Sequence, residues 1–454
     1  MNPASIANSP YKYDVNLLNG NFYFTNNIGY LGKSSDGDRG FIRNVDGQQR
    51  FLNSDLRLGA MGVMLSLKNK ASIGIQYQFR TVASGIDISP EFIEQFGRLG
   101  SIEFAGSSVV GQSGDAAAMG WHDLSFTYAG LVVDNGYYRV KVGGTFKLVN
   151  PIGNAVARLE SLSYASDDTG LVEVTNLQGQ VAYSENLNDF EQFDGTEPIK
   201  FPPGTGYRLA VDVGVVYETS LFRDDPQRDA GNSYYADIRY EQRLGVSITD
   251  IGKMSFNYGS ASFDVLNVLP QTTPIDFDNL LSGISSVREL QDSIATVSDV
   301  ADLTGSYTVS MPTALNVNYD YNFRNNWFLN VAGQFDFSKL MNADYRINYP
   351  NSITITPRYE TGFSGAYFPV YVNLEGDMEL GAALRYGPIT LGTHSLGSLF
   401  SAKPESGGVF FSLNINKLKL NSDKPYCFGS SKTGTAGTRR KRTPLHKRKK
   451  FLFF

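Results

Sequence analysis

The residues able to do chemistry are few and scattered. His122 stands beside Asp123 and Ser125, His394 lies within Leu391-Gly392-Thr393-His394-Ser395, and with His446 these are all 3 histidines. A Ser-His-Asp triad needs three side chains converging from separate elements. On a strand, Asp123 and Ser125 share the face opposite His122, so His122 and His394 both read as girdle or turn residues. The 1 cysteine, Cys427, permits neither an intrachain disulfide nor a cysteine metal site. Phe201-Pro202-Pro203-Gly204-Thr205-Gly206 lacks the Lys-Ser/Thr ending of a phosphate-binding loop and precedes a strand. Asp36-Gly37-Asp38 and Asp167-Asp168 lack the spacing of a calcium-binding loop and read as acidic turns. The expectation is a protein that is not an enzyme, with no catalytic residue, metal or cofactor.

The charged side chains occur in a pattern of period two. Ile73, Ile75, Tyr77 and Phe79 alternate with Ser72, Gly74, Gln76, Gln78 and Arg80. Tyr138, Val140, Val142, Gly144, Phe146 and Leu148 alternate with Arg139, Lys141, Thr145 and Lys147, and Ile238, Tyr240, Leu244, Val246 and Ile248 with Asp237, Arg239, Glu241, Arg243 and Ser247. Runs at 209–217, 315–323, 327–337, 378–386 and 409–415 behave alike. Successive strand residues face opposite sides, so each run has one apolar and one wet face. A large soluble β-sandwich or barrel also alternates. Runs of roughly 9–12 residues, longer than ordinary ~5–6-residue strands, fit a tilted membrane-spanning strand. Aromatics gather toward run ends, as an interfacial girdle would place them.

The composition agrees. With 46 glycines, 26 tyrosines and 19% charged residues in 454, the chain is a Gly- and Tyr-rich β protein rather than a disordered chain, a coiled coil or a helical membrane bundle. From Lys424 onward there are 10 basic and no acidic residues, so residues 1–423 carry 30 basic against 45 acidic residues, a net of −15. An acidic body argues against nucleic acid as a partner. The basic stretch 421–454 reads as a solvated tail outside the folded body.

Short turns (Lys68-Asn69-Lys70, Asp134-Asn135-Gly136, Arg324-Asn325-Asn326, Gly387-Pro388) alternate with long connections near 32–55, 82–120, 186–206, 219–232, 267–312 and 338–351. About 17 strand candidates result; an odd number conflicts with the even rule for bacterial barrels, and 155–165 is the first suspect. Ser89-Pro90 opens one short helix, and Ser286-Val287-Arg288-Glu289 is a capping box opening another. Both would cover or plug a barrel mouth.

Several blocks, in order, carry a resemblance: Met1-Asn2-Pro3-Ala4-Ser5, Trp121 to Ala129, Val142 to Leu148, Gly214-Val215-Val216-Tyr217-Glu218, Leu244 to Gly252, Ile355-Thr356-Pro357-Arg358-Tyr359-Glu360-Thr361 and Leu380 to Ile389. Together they resemble an uncharacterised family of outer-membrane β-barrels from Bacteroidetes-type bacteria, a domain of unknown function. That family is similar in architecture to fatty-acid-transporter-like barrels and to those accompanying gliding and type IX secretion. The Asn-Pro-Ala start is similar to that found just after the signal peptide in the fatty-acid-transporter type. The resemblance implies a secreted precursor whose signal peptide, absent from this chain, is removed or truncated, and it brings no catalytic residues. Ser406, Gly408, Phe411 and Leu413 resemble the assembly signal read by the barrel-assembly machinery.

The reading is therefore an all-β protein. Residues 1–420 form an antiparallel transmembrane β-barrel of about 14 strands (range 12–18) in the cell outer membrane. Short helices sit in its loops or plug, and residues 1–10 form an N-terminal plug or periplasmic segment. The expected partners are outer-membrane lipid and a small hydrophobic or amphipathic ligand that passes passively. The alternative is a structural or secretion-accessory barrel that binds a protein partner and conducts nothing. Arg139, Lys141, Arg239, Glu241, Arg243, Arg358 and Arg385 are expected to line the lumen, keeping it hydrated and biasing which solutes enter.

Overall fold

The computed structural model describes residues 2–418, apart from 34–38, 45, 68–69, 96–105, 136, 169–170, 191–203, 221–239, 271–274, 276–279, 281–283, 324, 375, 377 and 401–404. Arg239, Asp36-Gly37-Asp38, Phe201-Pro202-Pro203 and the basic tail lie outside the described residues.

Fourteen staves close on themselves. In chain order they are β1 (Tyr11–Asn26), β2 (Arg50–Ser66), β3 (Ser72–Ile88), β4 (Ser108–Asp134), β5 (Tyr138–Ser166), β6 (Arg208–Ser220) and β7 (Tyr240–Asn257). Then follow β8 (Ala314–Asn322), β9 (Trp327–Asp336), β10 (Ser352–Glu360), β11 (Ser364–Tyr367 with Val370–Asn373), β12 (Met378–Leu380 with Ala382–Tyr386), β13 (Ile389–Thr393) and β14 (Ser406–Leu418). Each pairs antiparallel with the next, and β14 returns to β1 from Thr25↔Ser406 to Tyr11↔Leu418. Closure pairs the backbone groups that an edge would leave open, which is what lets a sheet cross lipid.

The alternation sorts as period two requires. Ile73, Ile75, Phe126, Val142, Phe146, Val213, Val215, Leu244 and Val246 are exposed on the outer wall. Arg80, Asp123, Lys141, Lys147, Asp212 and Glu218 are buried on the inner one. Most connections at one end are tight turns, and there Tyr128, Tyr138, Tyr217, Phe323, Trp327, Tyr359, Phe363 and Tyr386 form an exposed aromatic ring. Aromatic rings of this kind mark a membrane interface. Phe411 lies over Gly20 of the neighbouring strand, where any side chain would collide with its ring.

Two expectations need correction. The segment 82–120 is mostly strand, since β3 runs to Ile88 and β4 starts at Ser108. As the odd strand count suggests, residues 155–165 are not a separate stave but the distal half of the 29-residue β5. There β5 pairs with Val172–Tyr183, and that strand with Phe263–Val268 and onward to Ser298–Asp302, so 267–312 also holds strands. Ala116, Ala117 and Ala118 face Ala157, Val156 and Ala155, and such small side chains give little strand signal of their own; cross-strand pairing decides the matter. The distal sheet has its own apolar core of Val109, Leu162, Tyr164, Val172 and Val174.

Both helices form, as α1 (Pro90–Gln95) and α2 (Val287–Ala295). At α2 the Ser286 hydroxyl accepts from the Glu289 amide at 3.1 Å, while the Glu289 carboxylate accepts from the Ser285 amide at 2.7 Å and is held below its ordinary carboxyl range by it. Ser286→Ala is expected to lower the local stability of α2 by about 1 kcal/mol. Amide exchange across 287–295 would then speed up roughly fivefold, with the barrel strands unchanged.

Candidate functional site in the barrel lumen

The inner wall carries two belts of paired charge. The belt nearer the short turns runs across β5 to β10. Glu218 accepts from Lys141 Nζ at 2.7 Å and from Arg243 Nε at 2.8 Å, with Arg139 3.9 Å away. Asp320 accepts from both terminal nitrogens of Arg358, at 2.9 and 2.7 Å, and from the Tyr240 hydroxyl at 2.6 Å. The strands impose these contacts: Glu218 is in register with both Arg139 and Arg243, and Arg243 with Asp320.

The second belt lies toward the long connections. Asp250 receives Arg80 at 2.8 Å and Lys147 at 2.6 Å, and Lys147 also meets Asp212 at 2.8 Å. Asp250 sits at φ +58 in a register break between β6 and β7. Such bulges re-aim a side chain. Across the lumen Asp55 pairs with Arg57 at 2.5 Å and accepts from the Tyr349 hydroxyl at 3.0 Å. Beyond this belt Trp121, Met254, Phe256, Tyr307, Met311 and Ile347 pack into an apolar core. Tyr307, Met311 and Ile347 come from connecting segments, which thus contribute to this core.

The N-terminal segment sits inside the wall between the belts. A 3-10 helix, Pro3–Ile6, begins at Asn2, whose Nδ2 donates to the carbonyls of Val215 (3.0 Å) and Val246 (3.1 Å) while its Oδ1 accepts from the Ala4 amide (2.9 Å). Inward-facing glycines make room for it. A Cβ at Gly143 would lie 2.6 Å from the Ala4 nitrogen, one at Gly245 3.1 Å from Asn2 Nδ2, and one at Gly214 would overlap Asn2 Oδ1. A glycine inside a strand marks close approach of another backbone, and these glycines do so on one wall.

Beside that segment is a cavity of 710 Å³. Its lining runs from Asn2 and Ser5 to Asp55, Arg57 and Tyr349 of the second belt, and to Arg243 of the first. Among the sequence-expected lumen residues, Arg139, Lys141, Arg243 and Arg358 stand in the first belt, but in close pairs rather than as free charges. Arg385 donates to the Thr361 carbonyl at 2.9 Å near a short turn, and Glu241 occupies a register break between Tyr240 and Gln242. Ser406, Gly408, Phe411 and Leu413 all lie on β14, the closing strand.

His122 lies on the outer face against Tyr77 (2.9 Å to its hydroxyl), while Asp123 turns inward to accept from Ser125 at 2.6 Å and Gln78 at 2.8 Å. His394 differs from the expected girdle or turn role: it lines the cavity, its Nε2 2.6 Å from Asn21 Oδ1 and its ring against Tyr23 and Phe410. Its parity with Thr390 and Gly392 was the available signal. Asp167 serves a turn, its carboxylate accepting from the Leu171 amide at 3.0 Å. Among the described residues no group of His, Cys, Asp and Glu is gathered to hold a metal ion.

Among curated proteins none matches the sequence. Among solved structures the chain is similar to the Pseudomonas putida toluene transporter TodX, at 8% identity over 92% of this chain and 93% of that one, TM-score 0.37. It is also similar to a Pseudomonas aeruginosa FadL homologue, at 9% identity over 91% of each chain, TM-score 0.20. The Escherichia coli outer membrane protease OmpT aligns at 7% identity over 89% of this chain and 95% of that one, TM-score 0.19. At family level the match is direct: residues 3–394, from the seated Pro3 to the lumenal His394, match the family of unknown function DUF5723, and the chain belongs to that family.

Proposed function

We propose that this protein is an outer-membrane barrel through which small hydrophobic or amphipathic molecules pass passively, using the lumenal cavity as a waypoint. The observation that carries the reading is a cavity of 710 Å³ inside a closed barrel, bounded by the seated N-terminal segment on one side and by Tyr349 with its ion pairs on the other. That volume lies within the ~300–1,000 Å³ of small-molecule sites. A wide aqueous pore would need no such boundaries, and a purely structural barrel no such space. The paired belts fix Tyr349 and the inner wall around the cavity, which preorganises the site.

The test is uptake into liposomes carrying the purified protein. Small amphipathic dyes are expected to enter faster than into protein-free vesicles, and Thr356→Trp, which projects an indole into the cavity, is expected to bring the rate most of the way back. Uptake no faster than in protein-free vesicles overturns the reading. The rival, a barrel that binds a protein partner and conducts nothing, draws on the distal sheet with its separate core. A stable partner recovered in mild detergent, together with absent uptake, would favour it.

A further inference from the structure

The chemistry of the cavity wall narrows the ligand. From β8 round to β1, the side chains facing the cavity change character in order. Asn318 and Gln334 present amides on β8 and β9, and Thr354 and Thr356 present hydroxyls on β10. Tyr371 and Phe410 then present rings on β11 and β14. Amides and hydroxyls each donate and accept. Asn318 and Asn330 already hold each other at 3.2 Å, which fixes the Asn318 amide and leaves part of its capacity for a ligand.

Two features of the lining bear on the ligand class. The arginines on the lining are already matched: Arg57 lies 2.5 Å from Asp55 and Arg243 2.7 Å from Glu218. Among the described lining residues both arginines already meet a carboxylate, so an anionic ligand would compete with Asp55 and Glu218 for them. A pure hydrocarbon would suit the apolar part of the lining but would leave the Asn318 amide and the Thr354 and Thr356 hydroxyls with no bond from the ligand.

We propose that the cavity binds an uncharged, hydroxyl-bearing solute with one flat apolar face, the chemistry of a mono- or disaccharide glycoside. The C–H face of a sugar ring would stack on the Tyr371 and Phe410 side, and its hydroxyls would exchange hydrogen bonds with Thr354, the cross-strand neighbour of Tyr371, and with Thr356 and Asn318 farther along the wall. This rests on the reading of the lumen as a solute path, and it deepens that reading by naming the solute.

The experiment compares three matched probes by titration calorimetry on the full-length protein in lipid nanodiscs free of sugar detergents. The probes are 4-nitrophenyl β-glucoside, 4-nitrobenzoate and nitrobenzene. The glucoside is expected to bind at least tenfold more tightly than either other probe. Asn318→Leu and Thr356→Val are each expected to weaken it roughly tenfold, the effect of one lost hydrogen bond in a dry site. Gel mobility of unheated protein checks that both variants still close the barrel. Equal or tighter binding of the benzoate or nitrobenzene, or no binding of the glucoside, overturns the proposal. Liposome uptake in the same preparation separates the two claims. Uptake without glucoside preference overturns only the ligand class, whereas glucoside binding without uptake supports the ligand class and overturns passage.

Discussion

Asp250→Asn is expected to destabilise the barrel by about 3–5 kcal/mol, the usual effect of removing one partner from a buried ion pair. The carboxylate serves two buried cations, Arg80 at 2.8 Å and Lys147 at 2.6 Å. Lys147 keeps Asp212 at 2.8 Å when Asp250 is neutralised, but Arg80 loses its directly paired carboxylate and keeps the Tyr349 hydroxyl, which it shares with Asp55, and the Trp121 ring, 4.7 Å from its guanidinium. Asparagine is chosen because it tolerates the positive φ of +58 at this position, so backbone strain adds little to the loss of charge. Urea unfolding in lipid vesicles reads the difference. Arg158→Gln is the contrast, because its 3.1 Å pair with Asp115 is partly exposed on both sides. It is expected to stay within about 1 kcal/mol of the wild type. Comparable losses in the two variants would contradict the buried belt.

The second large effect concerns the glycine seat. Gly143→Val would place a Cβ 2.6 Å from the Ala4 nitrogen and 2.7 Å from its Cα, backbone atoms that no rotamer change can move aside. The N-terminal segment would leave its seat. It would lose the two Asn2 bonds to Val215 and Val246, each worth about 1 kcal/mol, and the burial of Ala4. A loss of roughly 2–3 kcal/mol shifts the seated fraction by about 30- to 150-fold. Maleimide labelling of Ser5→Cys, in a background with Cys427→Ser, should accelerate accordingly. Gly144→Val is the control, since that glycine faces outward and a Cβ there would meet only the Asp212 carbonyl at an ordinary 3.6 Å. Equal labelling in both backgrounds would show that the seat does not hold the segment.

Period-two runs such as Ser72–Arg80 and Tyr138–Leu148 identify two-faced strands, because a wall between lipid and lumen imposes its two faces on every stave. A soluble β-sandwich alternates too, and the choice of a membrane barrel draws also on run length and the family resemblance. What the alternation could not show is which charges meet. Glu218, Lys141 and Arg243 are far apart in the chain and become neighbours only through the β5–β6–β7 register. The belt at Asp250 was further hidden by the register break that turns this residue inward. Gly143 and Gly214 carried a signal that went unread, as glycines on a wet face where a side chain would otherwise be expected. Beyond the membrane the pattern fades because Ala116, Ala117 and Ala118 present nothing to alternate, so the first part of β4 reads as part of a long connection.

A reversible lock on the N-terminal segment tests the central claim, that solute passes through a lumen whose short-turn side this segment occupies. Asn2→Cys with Gly214→Cys puts two thiols where the Asn2 side chain now meets the strand, 2.9 Å between Asn2 Cγ and the position of a Cβ at 214, close enough for a disulfide. Liposome uptake of a small amphipathic dye is then followed in the oxidised and the reduced protein. Uptake is expected near the protein-free rate when the lock is closed and at the wild-type rate after reductant. Uptake that is the same in both states would contradict the claim.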